Sequence, residues 1–377
     1  MISLLPLLLV PLLVIFVGRK VHGLEHTVTS KEVVVLQIGM VLLLTLGFQM
    51  ARWSAMTDYE VWGGRVDEKT HGTQGCCHCH SVCSGSGKTR SCHTVCSHSH
   101  DQWWGVHLTS GDSVEYEGCA SPLSSPPALW TNTQIGDPGA VLHSYTNYFL
   151  ADPDSLFADT PTDDEAAEEA FPAENLDVYR EIKIDRAVFI DRNGKASPLP
   201  VWSKALLELN ADLGPAKGVS VAVVITDAPD RSFAKLVDRK WLHGKRNDAI
   251  FVLGSPQPGG PVTWSEVLTT PSGNTFLRSH GRDAFVGLLT DDVGYGMDQI
   301  RSLVTSDWKW SGIEDFAYLA TAAQPTWLGI VFLYVLAILG SAGGLAFMDK
   351  HDLFGDEFPS FDRYARSLRG PRRPRPY

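Results

Sequence analysis

Three long apolar stretches stand out in a chain whose apolar and polar residues otherwise alternate over short distances. They occupy residues 2–17, 33–50 and 327–348. A bilayer core about 30 Å thick is crossed by roughly 20 apolar residues of helix, so the second and third stretches predict transmembrane helices. The first stretch is shorter, and Pro6 and Pro11 interrupt it.

The first stretch is predicted to be a membrane anchor, with a cleaved signal segment as the alternative. A secretory signal carries positive charge before its apolar run and small residues after it. Here Arg19 and Lys20 follow the run, and no basic residue precedes it. These positions favour a retained helix, and either outcome leaves the topology of the remaining chain unchanged.

Basic residues mark the two segments that are predicted to face the cytoplasm. Arg19, Lys20 and Lys31 lie between the first two apolar stretches, and further Lys and Arg residues follow the third, within 349–377. Since short segments rich in Lys and Arg stay on the cytoplasmic side, the long region between the second and third stretches is expected outside the cytoplasm.

That long region divides at an acidic segment, residues 151–176. Before it, short aromatic and β-branched runs separated by Gly, Asp and Ser predict short strands joined by turns. After it, apolar runs such as VSVAVVIT and DAIFVLG alternate with helical patterns, which predicts an α/β sheet with parallel central strands. The acidic segment itself predicts an exposed linker, because like charges repel one another.

These patterns predict an α+β membrane protein with three transmembrane helices, a small β-rich Cys/His domain and an α/β domain. The segments are transmembrane helix 1 (1–18), a cytoplasmic loop (19–32), transmembrane helix 2 (33–51), the β-rich Cys/His domain (52–150), the acidic linker (151–176), the α/β domain (177–324), transmembrane helix 3 (325–348) and a basic, Pro-rich cytoplasmic tail (349–377).

The charge balance limits the class of partner. The net charge is −11, from 32 Lys and Arg against 43 Asp and Glu. Proteins that bind nucleic acid usually carry a basic surface, so no nucleic acid binding by the outer domain is expected. The predicted partners are the lipid bilayer and an unidentified protein, which could be a second copy. In the third stretch, Gly340, Gly343 and Gly344 would permit close contact with the second stretch or another subunit.

The most distinctive segment is CCHCHSVCSGSGKTRSCHTVCSHSH, residues 76–100, which holds six of the seven cysteines. Two C-H-[ST]-V-C runs within it predict two strands or knuckles joined by a tight loop. Zinc prefers four tetrahedral thiolate or imidazole ligands, which such a pair of runs can supply. The predicted zinc ligands are Cys79, Cys83, Cys92 and Cys96, with His78, His80, His93 and His98 as alternates.

Disulfide bonds are the competing interpretation of the same cysteines, because an extracytoplasmic compartment favours oxidation of thiols. The pairs considered are Cys79–Cys92 or Cys83–Cys96 across a hairpin, and Cys119 with either Cys76 or Cys77. Seven cysteines leave one unpaired, and the interleaved histidines favour a metal. Both interpretations therefore stay open.

The α/β region shows a definite order of elements: a hydrophobic strand, an aromatic-containing helix, a W-x-x-G-x-x-N-D turn and a second hydrophobic strand. The turn residues are Trp241, Gly244, Asn247 and Asp248. In this order the region resembles the TPM domain of membrane-anchored envelope proteins. Because some members of that family are acid phosphatases and some bind calcium, the resemblance implies a metal-dependent phosphatase as an alternative function.

The carboxylates that could serve such an activity are Asp227, Asp230 and Asp248. Ligand sites of open α/β sheets lie beyond the carboxyl ends of the strands, where Asp227 and Asp230 are expected. A helix cap or a turn explains Asp230 and Asp248 equally well. No Cys-x5-Arg loop, Ser/His/Asp order or phosphate-binding Gly loop accompanies them, which favours a protein without catalytic activity.

Several short motifs follow one another along the whole chain. They are D-x-E-x-W-x-G-x-V (58–66), the Cys/His segment, IGDP (135–138), SYTNY (144–148) and DSLF (154–157), between an N-terminal and a C-terminal span. In this arrangement the chain is similar to uncharacterised membrane proteins encoded by tailed bacteriophages. The resemblance implies a bacterial envelope as the setting, with the bulk of the chain on the periplasmic face of the host inner membrane.

The function predicted from the sequence is that of a membrane-anchored extracytoplasmic scaffold or interaction protein, phage-encoded and acting at the bacterial envelope or in the virion. Two alternatives stand beside it: a metal-dependent phosphatase-like hydrolase of the TPM type, and a metal-binding sensor or carrier built on the Cys/His segment.

Overall fold

Helices and strands of a computed structural model of the protein fall into two units, residues 1–55 with 322–377 and residues 56–321. The structure describes residues 4–21, 28–76, 79–84, 90–97, 100–116, 125–151, 171–172, 174, 182–242, 245–270, 274–310 and 312–350. The α-helices are α1 (Leu4–Val21), α2 (Ser30–Ala55), α3 (Ala128–Asn132), α4 (Pro200–Lys217), α5 (Ser232–Val237), α6 (Thr275–Gly281), α7 (Val293–Asp307) and α8 (Trp327–Lys350). The strands are β1 (Thr57–Gly75), β2 (Cys79–Ser84), β3 (Ser91–Cys96), β4 (His100–Leu108), β5 (Ser113–Tyr116), β6 (Pro138–Thr146), β7 (Ala187–Ile190), β8 (Ala196–Pro198), β9 (Ser220–Thr226), β10 (Asp248–Gly254) and β11 (Trp264–Thr269).

Three apolar helices, α1, α2 and α8, form the first unit, and each is long and apolar enough to cross a membrane. This confirms three long apolar helices at the positions that the hydrophobic pattern predicts. α2 begins at a capping box, in which Glu32 accepts a hydrogen bond from the backbone N–H of Thr29 at 2.7 Å. The hydroxyl of Thr29 accepts a hydrogen bond from the N–H of Glu32 at 3.3 Å, so both hydrogen bonds of the capping box are made.

Small residues let α8 approach α2 closely. A Cβ atom added to Gly344 would lie 2.4 Å from Leu36, and one added to Gly340 would lie 3.0 Å from Met40. A Cβ atom added to Gly343 would meet no atom within 4 Å. Two of the three glycines predicted to permit a close contact therefore face the second helix.

An antiparallel sheet with the strand order β5-β4-β1-β6 forms the β-rich part of the second unit. The 19-residue strand β1 pairs with β6 through its first half and with β4 through its second half. The sequence predicts shorter strands here because glycines interrupt the pattern. Instead Gly63 lies inside the strand, where a Cβ atom would come within 2.4 Å of the carbonyl oxygen of Asn210 on α4. The glycine permits a close approach and does not form a turn.

The α/β sheet has the strand order β11-β10-β9-β7-β8. Its central strands β7, β9 and β10 are parallel, as the sequence predicts, while β8 and β11 run antiparallel at the edges. Every residue of β9 and β10 is buried, because helices α4, α6 and α7 cover one face of the sheet and α5 covers the other.

Candidate functional site

The Cys/His segment folds as an antiparallel hairpin of β2 and β3, which we call the cysteine hairpin. Its register places Cys79 opposite Cys96 and Cys83 opposite Cys92. Both pairs form disulfide bonds, and their Cα atoms are 4.0 Å apart. Apart from Cys79, every residue of the two strands is exposed. Covalent bonds therefore supply the rigidity that an isolated hairpin does not obtain from burial.

The disulfide pairing differs from the one that the sequence predicts. The pairs Cys79–Cys92 and Cys83–Cys96 are wrong, because in an antiparallel hairpin the two outer residues face each other and so do the two inner ones. Cys76 has a free thiol, which contradicts its predicted pairing with Cys119. Cys119 itself and its alternative partner Cys77 lie outside the described residues.

The four predicted zinc ligands are the four sulfurs of these two disulfides. Zinc takes thiolate ligands, and a disulfide sulfur is not a thiolate, so the quartet cannot bind zinc in this oxidised form. A different group of sulfurs lies together: the Sγ atoms of Cys76, Cys79 and Cys96 are all within 4.8 Å of one another. We call this group the three-sulfur cluster. It joins one free thiol to one disulfide.

The hairpin register also separates the histidines from the cysteines. Successive side chains of a strand point to opposite faces, so His80 and His93 lie on the face opposite to the sulfurs, beside Val82 and Val95. They are therefore not placed to replace cysteine as ligands of one tetrahedral ion. The other two predicted alternates, His78 and His98, lie outside the described residues.

The predicted carboxylates Asp227 and Asp230 follow the end of β9, at the carboxyl edge of the parallel strands. Asp227 accepts hydrogen bonds from the backbone N–H of Arg192 at 2.6 Å and from its guanidinium at 3.3 Å. Asp230 accepts one from the N–H of Ser232 at 2.8 Å, and hydrogen bonds from Ser232 lower its pKa. A hollow of about 560 Å³ lies beside Asp230, between Arg231 and Thr263.

The third predicted carboxylate, Asp248, lies at the opposite edge of the same sheet. It pairs in register with Ser220, the first residue of β9, whereas Asp227 follows the last. At about 3.3 Å per residue, the two aspartates are roughly 20 Å apart. Asp248 is 1% exposed, so it also lacks access to solvent. The structure brings Asp227 and Asp230 to one edge and does not bring Asp248 to them.

Asp248 belongs to a buried group of four charges with Glu174, Arg186 and Lys245, which we call the ion cluster. Arg186 contacts Glu174 and lies 3.0 Å from Asp248, and Lys245 contacts Glu174. Burial raises the pKa of Asp248, and the two cations only partly oppose this. Burial would also raise the pKa of Glu174, but Arg186 and Lys245 outweigh it and hold the pKa below its usual range.

A second buried ion pair joins β1 to the α/β sheet, and the sequence does not reveal it. Glu60 is 0% exposed, and its carboxylate accepts two hydrogen bonds from Arg246, at 2.7 and 3.0 Å. The indole N–H of Trp62 donates to the same carboxylate at 2.8 Å. The Arg246 guanidinium lies 5.0 Å from the ring centroids of both Tyr145 and Trp310. These contacts fix the arginine by a bidentate bond and by cation–π attraction.

Residues of three sequence motifs make contacts within the antiparallel sheet and between it and the turn before β10. Asp58, in the motif 58–66, accepts hydrogen bonds from Asn147 at 2.9 Å and from Tyr145 at 3.4 Å, both in SYTNY. Asn247, in the turn before β10, donates to the carbonyl oxygen of Val61 at 2.7 Å. These side chains therefore position strands, so a structural role accounts for Asp58, Tyr145, Asn147 and Asn247.

Comparison of the chain with protein-family models, with curated proteins and with solved structures finds no match.

Proposed function

We propose that the protein is a membrane-anchored scaffold that presents the cysteine hairpin to a protein partner. The observation that carries the proposal is a hairpin closed by two disulfides whose exposed side chains enter no core. Folding of the sheets does not require those side chains, so the rigidity of the hairpin serves its outer surface. Exposed Val82 and Val95 beside His80 and His93 give that surface apolar contacts and hydrogen-bonding groups.

The setting of this scaffold is the extracytoplasmic side of a bacterial membrane, in the host envelope or a virion, and the gene is phage-encoded. Disulfides persist in oxidising compartments, which supports an outer location for the hairpin. The basic residues that flank the apolar helices in sequence support the same orientation. The bound partner is a protein, either a second copy of the chain or another envelope component.

A metal-dependent phosphatase of the TPM type is the second candidate, favoured by the open hollow beside Asp230 at the carboxyl edge of the sheet. Its candidate carboxylates are weakly suited to bind one metal, since Asp227 is held by Arg192 and Asp248 lies at the other edge. A zinc sensor or carrier is the third candidate. It would require reduction of both hairpin disulfides to release four thiolates.

Site-specific photo-crosslinking of the full chain in bacterial membranes tests the scaffold. A photoreactive residue would replace Val82 or Val95, and Val286 would be the matched control, because it is 52% exposed but outside the hairpin. We expect a discrete adduct from the two hairpin positions and none from Val286. An adduct of twice the monomer mass would identify a second copy as the partner.

Equal adducts from all three positions, or none from the hairpin, would contradict the scaffold. A phosphatase would be identified separately, by hydrolysis of a generic phosphoester that the purified protein loses on Asp227→Asn substitution. Since Asp227 is remote in sequence from the hairpin and its backbone contacts persist in asparagine, crosslinking should be unchanged in that variant.

A further inference from the structure

A free thiol lies next to a disulfide at the base of the cysteine hairpin. The Sγ atoms of Cys76, Cys79 and Cys96 are within 4.8 Å of one another, and only Cys76 among them is unpaired. The carbonyl oxygen of Cys76 lies 3.0 Å from the Sγ of Cys79, so the backbone of the free cysteine is in contact with the disulfide. A thiolate and a disulfide at close range are the two reactants of thiol–disulfide exchange.

We propose that the three-sulfur cluster is a thiol–disulfide exchange site whose substrates are the disulfides of a partner protein. Cys76 loses its proton to solvent, and its thiolate attacks the Sγ of Cys79. The Cys79–Cys96 bond breaks, a Cys76–Cys79 bond forms, and Cys96 leaves as a thiolate. One disulfide is exchanged for another, so this step requires no oxidant or reductant.

The positions of the cysteines favour attack at Cys79 over attack at Cys96. Cys76 and Cys79 have the C-x-x-C spacing, which is the arrangement of thiol–disulfide oxidoreductases. Cys76 is half-buried, whereas Cys96 lies on the exposed strand β3. The exchange therefore moves the thiol from a sheltered position to an accessible one.

The released thiol can then react with a second molecule. The Cys96 thiolate attacks a disulfide of the partner, forms a mixed disulfide with one of its sulfurs, and releases the other as a thiolate. Meanwhile the Cys83–Cys92 bond still joins β2 to β3. The hairpin thus keeps its register while the Cys79–Cys96 bond at its base is open. This chemistry does not depend on the scaffold proposal and has its own test.

Alkylation of the full chain in detergent tests the exchange. The protein is kept without reductant at pH about 8, where thiolates form, with a low concentration of iodoacetamide, and is then mapped by mass spectrometry of its peptides. We expect alkylated Cys96 together with a Cys76–Cys79 disulfide, in a fraction that grows with time. In Cys76→Ser, alkylation of Cys96 should fall at least about tenfold, because the attacking thiol is absent.

The same peptide maps contain the control, since they show whether Cys79–Cys96 and Cys83–Cys92 are intact in the variant. Alkylation of the wild type that stops at Cys76 and leaves Cys79–Cys96 unbroken would overturn the exchange. So would equal alkylation of Cys96 with and without Cys76. Neither result bears on the crosslinking from Val82 and Val95, so the two proposals fail separately.

Discussion

The ion cluster buries two carboxylates and two cations at one edge of the α/β sheet. They belong to Glu174, Asp248, Arg186 and Lys245. A buried charge is costly unless it is paired, and here each charge has an opposite neighbour. For Asp248, burial outweighs the attraction of Arg186 and Lys245, so its pKa is raised. The ion cluster links Glu174, which lies in the acidic segment, to the start of strands β7 and β10.

The two carboxylates of the ion cluster should respond to acid in opposite directions. The folded-state pKa of Glu174 is lowered, so its stabilisation is lost as the pH falls below the usual glutamate range near about 4.3. The folded-state pKa of Asp248 is raised, so its contribution is present at low pH and is lost as the pH rises through that pKa. We expect Glu174→Gln to weaken the loss of stability on acidification and Asp248→Asn to increase it, each by at most about 1.4 kcal/mol per pH unit.

Denaturant unfolding of the full chain in detergent, followed between pH about 7 and about 3, measures these slopes. Glu68→Gln is the control, because Glu68 is exposed. At neutral pH, Glu174→Gln should also cost about 3 kcal/mol, since it leaves buried cations with one fewer partner. Slopes that match the Glu68→Gln slope in both variants would show that the ion cluster does not titrate as described.

Residue chemistry could be predicted from the sequence only where the partners are close along the chain. The cysteine pairs lie within one short segment, so disulfides were a definite alternative to zinc, although their pairing was wrong. Glu60 and Arg246 are 186 residues apart, and no local pattern connects them. Only the three-dimensional contact shows that a charged residue inside a strand has a buried partner.

At the scale of helices and strands, glycines decided whether the length of a strand could be predicted from the sequence. The runs that became β9 and β10 are continuous and apolar, so their burial on both faces was predictable. β1 has glycines and charged residues, and its length could not be predicted, because Gly63 serves a contact with α4. The contact is mutual: a Cβ atom on Gly214 of α4 would lie 2.4 Å from the carbonyl oxygen of Gly63.

Substitution of Gly63 tests whether β1 and α4 must approach this closely. The added methyl group of Gly63→Ala would meet backbone atoms of Asn210, which cannot rotate away, so we expect a loss of about 2–3 kcal/mol. Gly75→Ala, at the other end of β1, is the matched control, because its methyl group would meet no atom within 4 Å. Tryptophan fluorescence during denaturant unfolding measures both, and equal stabilities would contradict the close approach.

At the scale of the whole molecule, three apolar helices form one unit, and the four-stranded sheet, the five-stranded sheet and the cysteine hairpin form another. Hydropathy alone predicted the helices, because about 20 apolar residues in succession have few other uses. Their packing could not be predicted in full. The glycines of α8 suggested a close contact, but the structure decides that Gly340 and Gly344 face α2 and that Gly343 meets no neighbour within 4 Å.

Paired substitutions in α8 test this packing. The side chain of Gly344→Ile would overlap Leu36, so we expect the helical unit to lose about 1–3 kcal/mol of stability. Gly343→Ile adds the same side chain to a position without a neighbour, and its effect should stay within about 0.5 kcal/mol. Circular dichroism during titration with a denaturing detergent compares them, and similar losses would place the contact elsewhere.

The helical unit is discontinuous in sequence, since residues 56–321 separate α2 from α8. A ribosome therefore releases α1 and α2 long before their third partner exists. Until the whole of the second unit has been synthesised, α8 is absent, and the side of α2 that carries Leu36 and Met40 lacks its packing partner. In the interval that side must be covered by lipid or by another helix, so the helical unit is completed only after the whole sequence of the second unit has been made, and its completion closes a loop of residues 56–321.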